Sequence, residues 1–248
     1  MKATKRRSAG LGGNLTYGLL DALGRKIVTG SYDTQPFPTE AQLAEEHDVS
    51  RSVTREAVKM LTAKGLLSAL PRRGTIVLPR ESWNLFDADV LNWLLERRFS
   101  IELLLQFMDL RAAIEPAAAE LAAKNADAQE LSLITQGFER MENAGRGDDD
   151  VLESDIEFHV AILRASGNPF FAQFRDVVAT ALRTSILFTN RIAGHTADLP
   201  AHKAVLDAIV KRNGSRSRLA MNELLAFTRG LAVRAAERKE PSTRAKRR

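Results

Sequence analysis

Apolar residues recur at helical spacing along most of the chain, and one short region departs from that rhythm. Between Leu15 and Thr29, Leu15, Leu19, Leu20, Leu23, Ile27 and Val28 fall on one face, and Gly30 stops the helix. Gln35-Pro36-Phe37-Pro38 reads as an extended connector, because each proline disfavours helix in the residue before it. Thr39 is placed to cap a short helix through Glu46, with Glu40 supplying acid in its first turn. After a turn at His47-Asp48-Val49, Ser50 caps a third helix to about Lys64. Its inner face is Val53, Ala57, Val58 and Leu61, and Gly65 ends it. Leu66 to Leu78 instead holds two short apolar runs around Pro71-Arg72-Arg73-Gly74, a hairpin signature. Three short helices followed by a basic-tipped hairpin describe a winged helix-turn-helix.

Beyond Pro79 the helical period dominates, over segments near 84–96, 100–124, 127–143, 149–166, 170–190, 199–213 and 215–236. Gly145-Arg146-Gly147, Gly167-Asn168-Pro169, Gly194, Pro200 and Asn213-Gly214 separate them. The fold expected is mainly α: an N-terminal winged helix-turn-helix joined to a C-terminal all-α bundle of six or seven helices. The domains expected are a disordered basic arm over 1–13, a DNA-binding domain over 14–79 and a linker over 80–99. An all-helical effector-binding and dimerisation domain follows over 100–236, and a disordered basic tail over 237–248. Trp83 and Trp93, in the linker, read as packing residues that dock one domain on the other.

Charge sharpens this division. Residues 1–80 carry 13 Lys and Arg against 7 Asp and Glu, whereas residues 81–235 carry 17 against 22. A basic end on an acidic body suits one region that meets a polyanion and another that does not. No cysteine is present, which removes disulfides, thiolate metal sites and cysteine nucleophiles. No apolar run approaches the eighteen or so residues of a membrane span, and the first residues lack the apolar core of a secretory signal, so a cytoplasmic protein without a membrane partner is expected.

The third helix opens Ser50-Arg51-Ser52-Val53-Thr54-Arg55-Glu56-Ala57. In a helix-turn-helix the first turn of this helix faces base edges. Arg51 and Arg55 are four apart and share a face away from the apolar one. An arginine there can take guanine O6 and N7 in a bidentate bond, which is ~1–3 kcal/mol of discrimination. Ser50, Ser52 and Arg55 can donate to phosphates, which sets register rather than sequence. Arg72 and Arg73 at the hairpin tip, beside Gly74, suit an adjacent groove. The plainer alternative is an amphipathic helix with solvated arginines, Arg55 pairing with Glu56 or Glu45.

Phe37-Pro38-Thr39-Glu40, Leu43-Ala44, Val49-Ser50-Arg51 and Val53-Thr54-Arg55-Glu56-Ala57 together resemble the GntR family of bacterial regulators in order and spacing, over about residues 15–78. Ala41 departs from the pattern, since several members place a DNA-touching arginine there. Residues 100–235 resemble the all-helical FCD effector domain of the FadR-type branch. Arg111, Glu115-Pro116, Ala118-Ala119, Asp155, Phe158-His159, Ala165-Ser166-Gly167-Asn168-Pro169 and His202-Lys203-Ala204 carry that likeness. Trp83-Asn84-Leu85-Phe86-Asp87 with Asp89-Val90-Leu91-Asn92-Trp93 looks like the galactonate-operon repressors within the branch.

Asp155 and His159 are four apart and project from one helical face beside Phe158 and Ile162, while His202 lies 43 residues after His159. From spacing alone the first two read first as an i,i+4 ion pair. The resemblance implies that Asp155, His159 and His202 bind one divalent metal, Zn²⁺, Ni²⁺ or Mn²⁺. Its fourth ligand position falls at Leu224, which cannot ligate, so water or a substrate carboxylate would complete the shell. Arg111 sits among Leu103, Leu104, Phe107, Leu110, Ala113 and Ile114, and pairs with Glu115 or Asp109 or, as the resemblance implies, holds a carboxylate ligand. Arg183 is a second effector candidate. His195 and His47 read as surface residues.

The function expected is a sequence-specific transcription regulator, a homodimeric repressor of sugar-acid catabolism. It would leave a pseudo-palindromic double-stranded operator when a small organic acid such as an aldonate binds. The same regulator class could instead respond to another carboxylate, and two other readings compete: a metal-dependent hydrolase or lyase with an accessory nucleic-acid domain, and a DNA-binding protein whose helical domain only dimerises. Against the first, no glutamate base, phosphate loop or nucleophile elbow accompanies the metal candidates.

Overall fold

A computed structural model describes residues 11–71, 73–96, 101–183 and 198–237. The chain divides into two compact units, Met1–Phe99 and Ser100–Arg248. In the first, α1 (Leu11–Val28), α2 (Glu40–Glu46) and α3 (Arg51–Ala63) precede a hairpin of β1 (Leu67–Leu70) and β2 (Gly74–Val77), and α4 (Ala88–Glu96) closes the unit. The strands are antiparallel, with Leu67 opposite Val77 and Leu70 opposite Gly74. This is the winged helix-turn-helix expected.

Local chemistry explains the boundaries. Thr39 and Gln42 form a reciprocal capping box at α2, and Ser50 accepts the backbone N–H of Val53 at α3. The first helix begins at Leu11, a turn earlier than the expected Leu15, because Gly12 and Gly13 lower helix propensity by about 1 kcal/mol each without forbidding it. On α3 the fully buried set is Thr54, Ala57, Val58 and Leu61, while Val53 is half-buried. Thr54 can turn inward because its hydroxyl donates to the Ser50 carbonyl within the helix. The helix expected from about 84 starts only at Ala88, since the Asp87 carboxylate takes the N–H groups of Asp89 and Val90.

Both tryptophans pack inside this first unit. Trp83 donates its indole N–H to the Leu78 carbonyl at 2.9 Å. Trp93, fully buried, donates to Asp21 at 2.8 Å, and its ring lies where a Cβ on Gly24 would stand, 2.4 Å away. That close approach explains a glycine inside α1.

Every described element of the second unit is a helix. It comprises α5 (Ile101–Asn125), α6 (Ala128–Arg146), α7 (Val151–Ala165), α8 (Pro169–Gln173), α9 (described over 175–183), α10 (Leu199–Val210) and α11 (Gly214–Glu237). The segment expected as one helix from about 170 is broken at Phe174, where the cap N–H bonds back to Phe171 and Ala172. Helix α5 packs on α11 and α7, α6 on α7, and α10 on α11. Their shared core runs from Ala118 and Ala122 through Phe138, Phe158 and Ile162 to Val205, Met221 and Leu224. Among the described residues no helix is long and apolar enough to cross a membrane.

Candidate functional site

Polar chemistry gathers in two places, one in each unit. In the first, α3 presents Ser50, Arg51, Ser52 and Arg55 to solvent. The two serine hydroxyls hydrogen-bond each other at 2.8 Å, and that of Ser50 also caps the helix. Arg55 remains exposed and pairs with Glu40 of α2 through Nε at 3.3 Å, rather than with Glu45 or Glu56. Arg73 and Gly74 are exposed at the hairpin turn, where Gly74 has φ +76° and a Cβ on it would meet no atom within 4 Å. Arg72, like His195, lies outside the described residues. His47 is partly buried against Glu46, 3.7 Å away.

The second place is a polar cluster inside the helical bundle. Arg111 and Glu115 of α5, Asp155 and His159 of α7, and His202 of α10 are each at most 5% exposed. Arg111 and Glu115 form a bidentate, i,i+4 ion pair through Nε and Nη2. Glu115 also holds His159 through Nδ1 at 2.5 Å. Burial alone would raise the Glu115 carboxyl, but the Arg111 guanidinium and His159 outweigh it and hold it at about 2. His202 donates Nδ1–H to the Asp198 carbonyl one turn earlier, at 2.7 Å.

These bonds fix both imidazoles with Nδ1 engaged and Nε2 turned to Asp155. His202 Nε2 is 3.0 Å from Asp155 Oδ1, and His159 Nε2 is 3.6 Å from the same oxygen. Burial would raise Asp155; His202 and the other neighbouring positive groups reverse this and lower it. Yet Asp155 Oδ1 and His202 Nε2 are buried with no hydrogen bond of acceptable geometry. The carboxylate oxygen and the imidazole nitrogen face each other across 3.0 Å, an arrangement that a cation would complete. One ligand atom from each of Asp155, His159 and His202 lies within 4.8 Å of the others, so the set fits a divalent cation. Leu224 is buried in the apolar core and adds no donor.

The expected residues therefore separate. Arg111, Asp155, His159 and His202 come together. Arg183 stands apart on the exposed side of α9, paired with Glu153 at 3.0 Å. Sequence reasoning missed Glu115 as the group orienting His159, and the Asp198 carbonyl as the one orienting His202. The i,i+4 spacing of Arg111 and Glu115 was the available signal for the first. No sequence signal marks a backbone carbonyl.

Known proteins now bear on these geometries. Residues 16–77 match the bacterial regulatory proteins of the gntR family, and residues 106–227 match the FCD domain. The galactonate operon transcriptional repressor of Escherichia coli K12 is 33% identical over 218 residues, covering 86% of this chain and 94% of its own. This chain belongs to the GntR family. A second relative, the uncharacterised HTH-type transcriptional regulator YieP of the same organism, is 33% identical over 86% of this chain and 93% of its own. The solved structure of Lar, which controls the expression of the Listeria monocytogenes agr system, shares the fold at a TM-score of 0.60 and 18% identity, covering 93% of this chain and 99% of its own. The GntR protein described here is thus a DNA-binding transcription regulator with an FCD domain, and the hydrolase or lyase alternative falls with that assignment.

Proposed function

We propose that this regulator represses genes of sugar-acid catabolism, holding a pseudo-palindromic operator as a homodimer and releasing it when a small organic acid such as an aldonate enters the helical unit. The observation that carries this reading is the buried polar cluster. Two charged residues, a further carboxylate and two imidazoles in an apolar core are costly to fold unless they bind something. The similarity to a galactonate operon repressor supports a sugar acid as the ligand class.

Asp155, His159 and His202 would hold one divalent metal, which supplies positive charge for a carboxylate and an adjacent hydroxyl. Glu115 and the Asp198 carbonyl engage Nδ1 of the two imidazoles and so present Nε2 to it, with Arg111 Nη2 standing 3.4 Å from His159 Nε2 beside the site. With Nε and Nη2 turned to Glu115, Arg111 meets an acid through Nη1. Arg183 has no part in this site. On DNA, Arg51 and Arg55 read bases from the exposed start of α3, with Val53 beside them. Ser50, Ser52, Arg72 and Arg73 set register on phosphates, and Gly74 lets the wing approach. Release requires that the acid bind better to the dimer geometry that fits the operator less well.

A thermal-shift screen of aldonates and other small carboxylates, with and without chelator, tests this. A ligand at a hundred times its dissociation constant adds ~2.7 kcal/mol of stability. Stabilisation by an aldonate, abolished by chelator and by His202→Ala, is expected. No shift from any acid overturns the effector class, and a shift indifferent to chelator overturns the metal.

A further inference from the structure

Lys64 caps the C-terminus of α3, the end opposite the residues assigned to base reading. A lysine on that helix would ordinarily be taken for a phosphate contact. Its side chain is only 12% exposed, however, and its ammonium lies 2.7 Å from Asp87 and 2.8 Å from Asp89. Asp87 in turn caps α4 through the N–H groups of Asp89 and Val90. The backbone repeats the connection: the Lys64 carbonyl accepts Asn84 N–H at 2.9 Å. Gly65, at φ +78°, turns the chain out of α3, and a Cβ there would stand 2.2 Å from the Ser82 carbonyl oxygen. Helix α4 is itself fixed to α1 by Trp93 and Asp21.

We propose that Lys64, Asp87 and Asp89 form a latch between α3 and α4 that positions the recognition helix for operator DNA, with Lys64 a positioning residue that touches no phosphate. Burial would lower the Lys64 ammonium, but the two carboxylates outweigh it, so the latch stays charged. Any displacement of α4 is transmitted to α3 through two carboxylates rather than through a slack tether. The latch shapes specific binding more than nonspecific binding, because loosening α3 misaligns base contacts while leaving surface arginines free to find phosphates.

The test is fluorescence anisotropy on the full-length protein with two labelled duplexes, one selected by the unaltered protein from a random-sequence pool and one scrambled. Lys64→Met and Asp87→Asn should each weaken binding to the selected duplex about tenfold, the range of coupled contacts. Binding to the scrambled duplex should change less than twofold, so the specificity ratio falls. A loss of folded protein would lower both affinities equally. The salt dependence should be unchanged, the double variant no worse than the worse single one, and Lys64→Arg near the unaltered protein. Asp89→Asn removes only the more exposed carboxylate and should lower the ratio two- to threefold, which decides the matter if Lys64→Met does not fold. A salt slope reduced by about 0.9 in Lys64→Met would make Lys64 a phosphate contact and overturn the latch. Tighter binding by Asp87→Asn, or an unchanged ratio in both aspartate variants, would overturn it equally.

Discussion

The two units use the same residue types in opposite surroundings. On α3 the arginines stand in water: Arg55 is 64% exposed and leans on Glu40 at a distance that solvent competes with. In the bundle Arg111 is 3% exposed and is locked to Glu115, which also holds His159. An exposed pair of this kind stabilises by about 0–1 kcal/mol and leaves its arginine available to a partner. A buried pair contributes little net stability while both members are present, yet removing one strands the other in a low dielectric. One arrangement therefore keeps its charges free for a partner. The other makes its charges depend on one another.

The comparison breaks most visibly at Glu115. Glu115→Ala leaves the Arg111 guanidinium and the His159 Nδ1 without their partner, and should destabilise the helical unit by ~3–5 kcal/mol. Urea unfolding followed by far-UV circular dichroism measures this. Arg111→Met combined with Glu115→Leu removes both charges at similar volume, and should recover much of the loss while abolishing any response to a carboxylate. If Glu115→Ala cost less than ~1 kcal/mol, the buried site would be as loosely coupled as the exposed one, and the contrast between the units would be lost.

The same contrast decides what could be read in the sequence. The exposed site was legible because its logic is local. Ser50 as a cap, Arg51 and Arg55 four apart, and the turn before Gly74 are each set by residues adjacent in the chain. The caps Thr39 and Ser50, and both hairpin strands, were legible for the same reason. In the bundle, the i,i+4 geometry of Asp155 and His159 was visible, and the family pattern brought in His202. What joins them was not: the bond from Glu115 to His159 crosses between helices, and the Asp198 carbonyl carries no side-chain signature. Arg183 misled because an arginine in an apolar stretch looks inward, whereas its helix phase places it outside against Glu153. The tryptophans misled in a related way. Their apolarity predicted packing, but only Gly24 in α1 reveals that the Trp93 ring belongs to the first unit.

A smaller effect sharpens the exposed side. Ser50→Ala removes the oxygen that accepts Val53 N–H and should cost about 1 kcal/mol of stability in the first unit. Because the cap holds the first turn of α3, operator affinity should fall by more than that stability loss accounts for, whereas a surface serine such as Ser52 replaced by alanine should cost at most one contact. Equal effects from the two serines would mean that Ser50 matters as a donor to DNA and not as a cap.

The smallest effect is expected at Glu40, and it bears most directly on whether the exposed arginine is free. Glu40→Gln removes the partner of Arg55 and a negative charge from the DNA-facing side, while retaining a side chain of the same size. Stability should change by less than ~1 kcal/mol, since the pair is exposed and the helix-dipole contribution of Glu40 in the first turn of α2 is only a few tenths of that scale. DNA affinity should rise about two- to threefold, because Arg55 no longer divides its hydrogen bonds between a carboxylate and a phosphate or base. The gain should vanish when Arg55→Ala is combined with it. Anisotropy titrations of the two single variants and the double variant at fixed salt measure the coupling. A rise that persists without Arg55 would assign the effect to the charge of Glu40 itself, repelling phosphate, and would make the ion pair incidental. A fall in affinity would mean that Glu40 orients Arg55 for its contact, and the exposed site would then be preorganised in the same sense as the buried one.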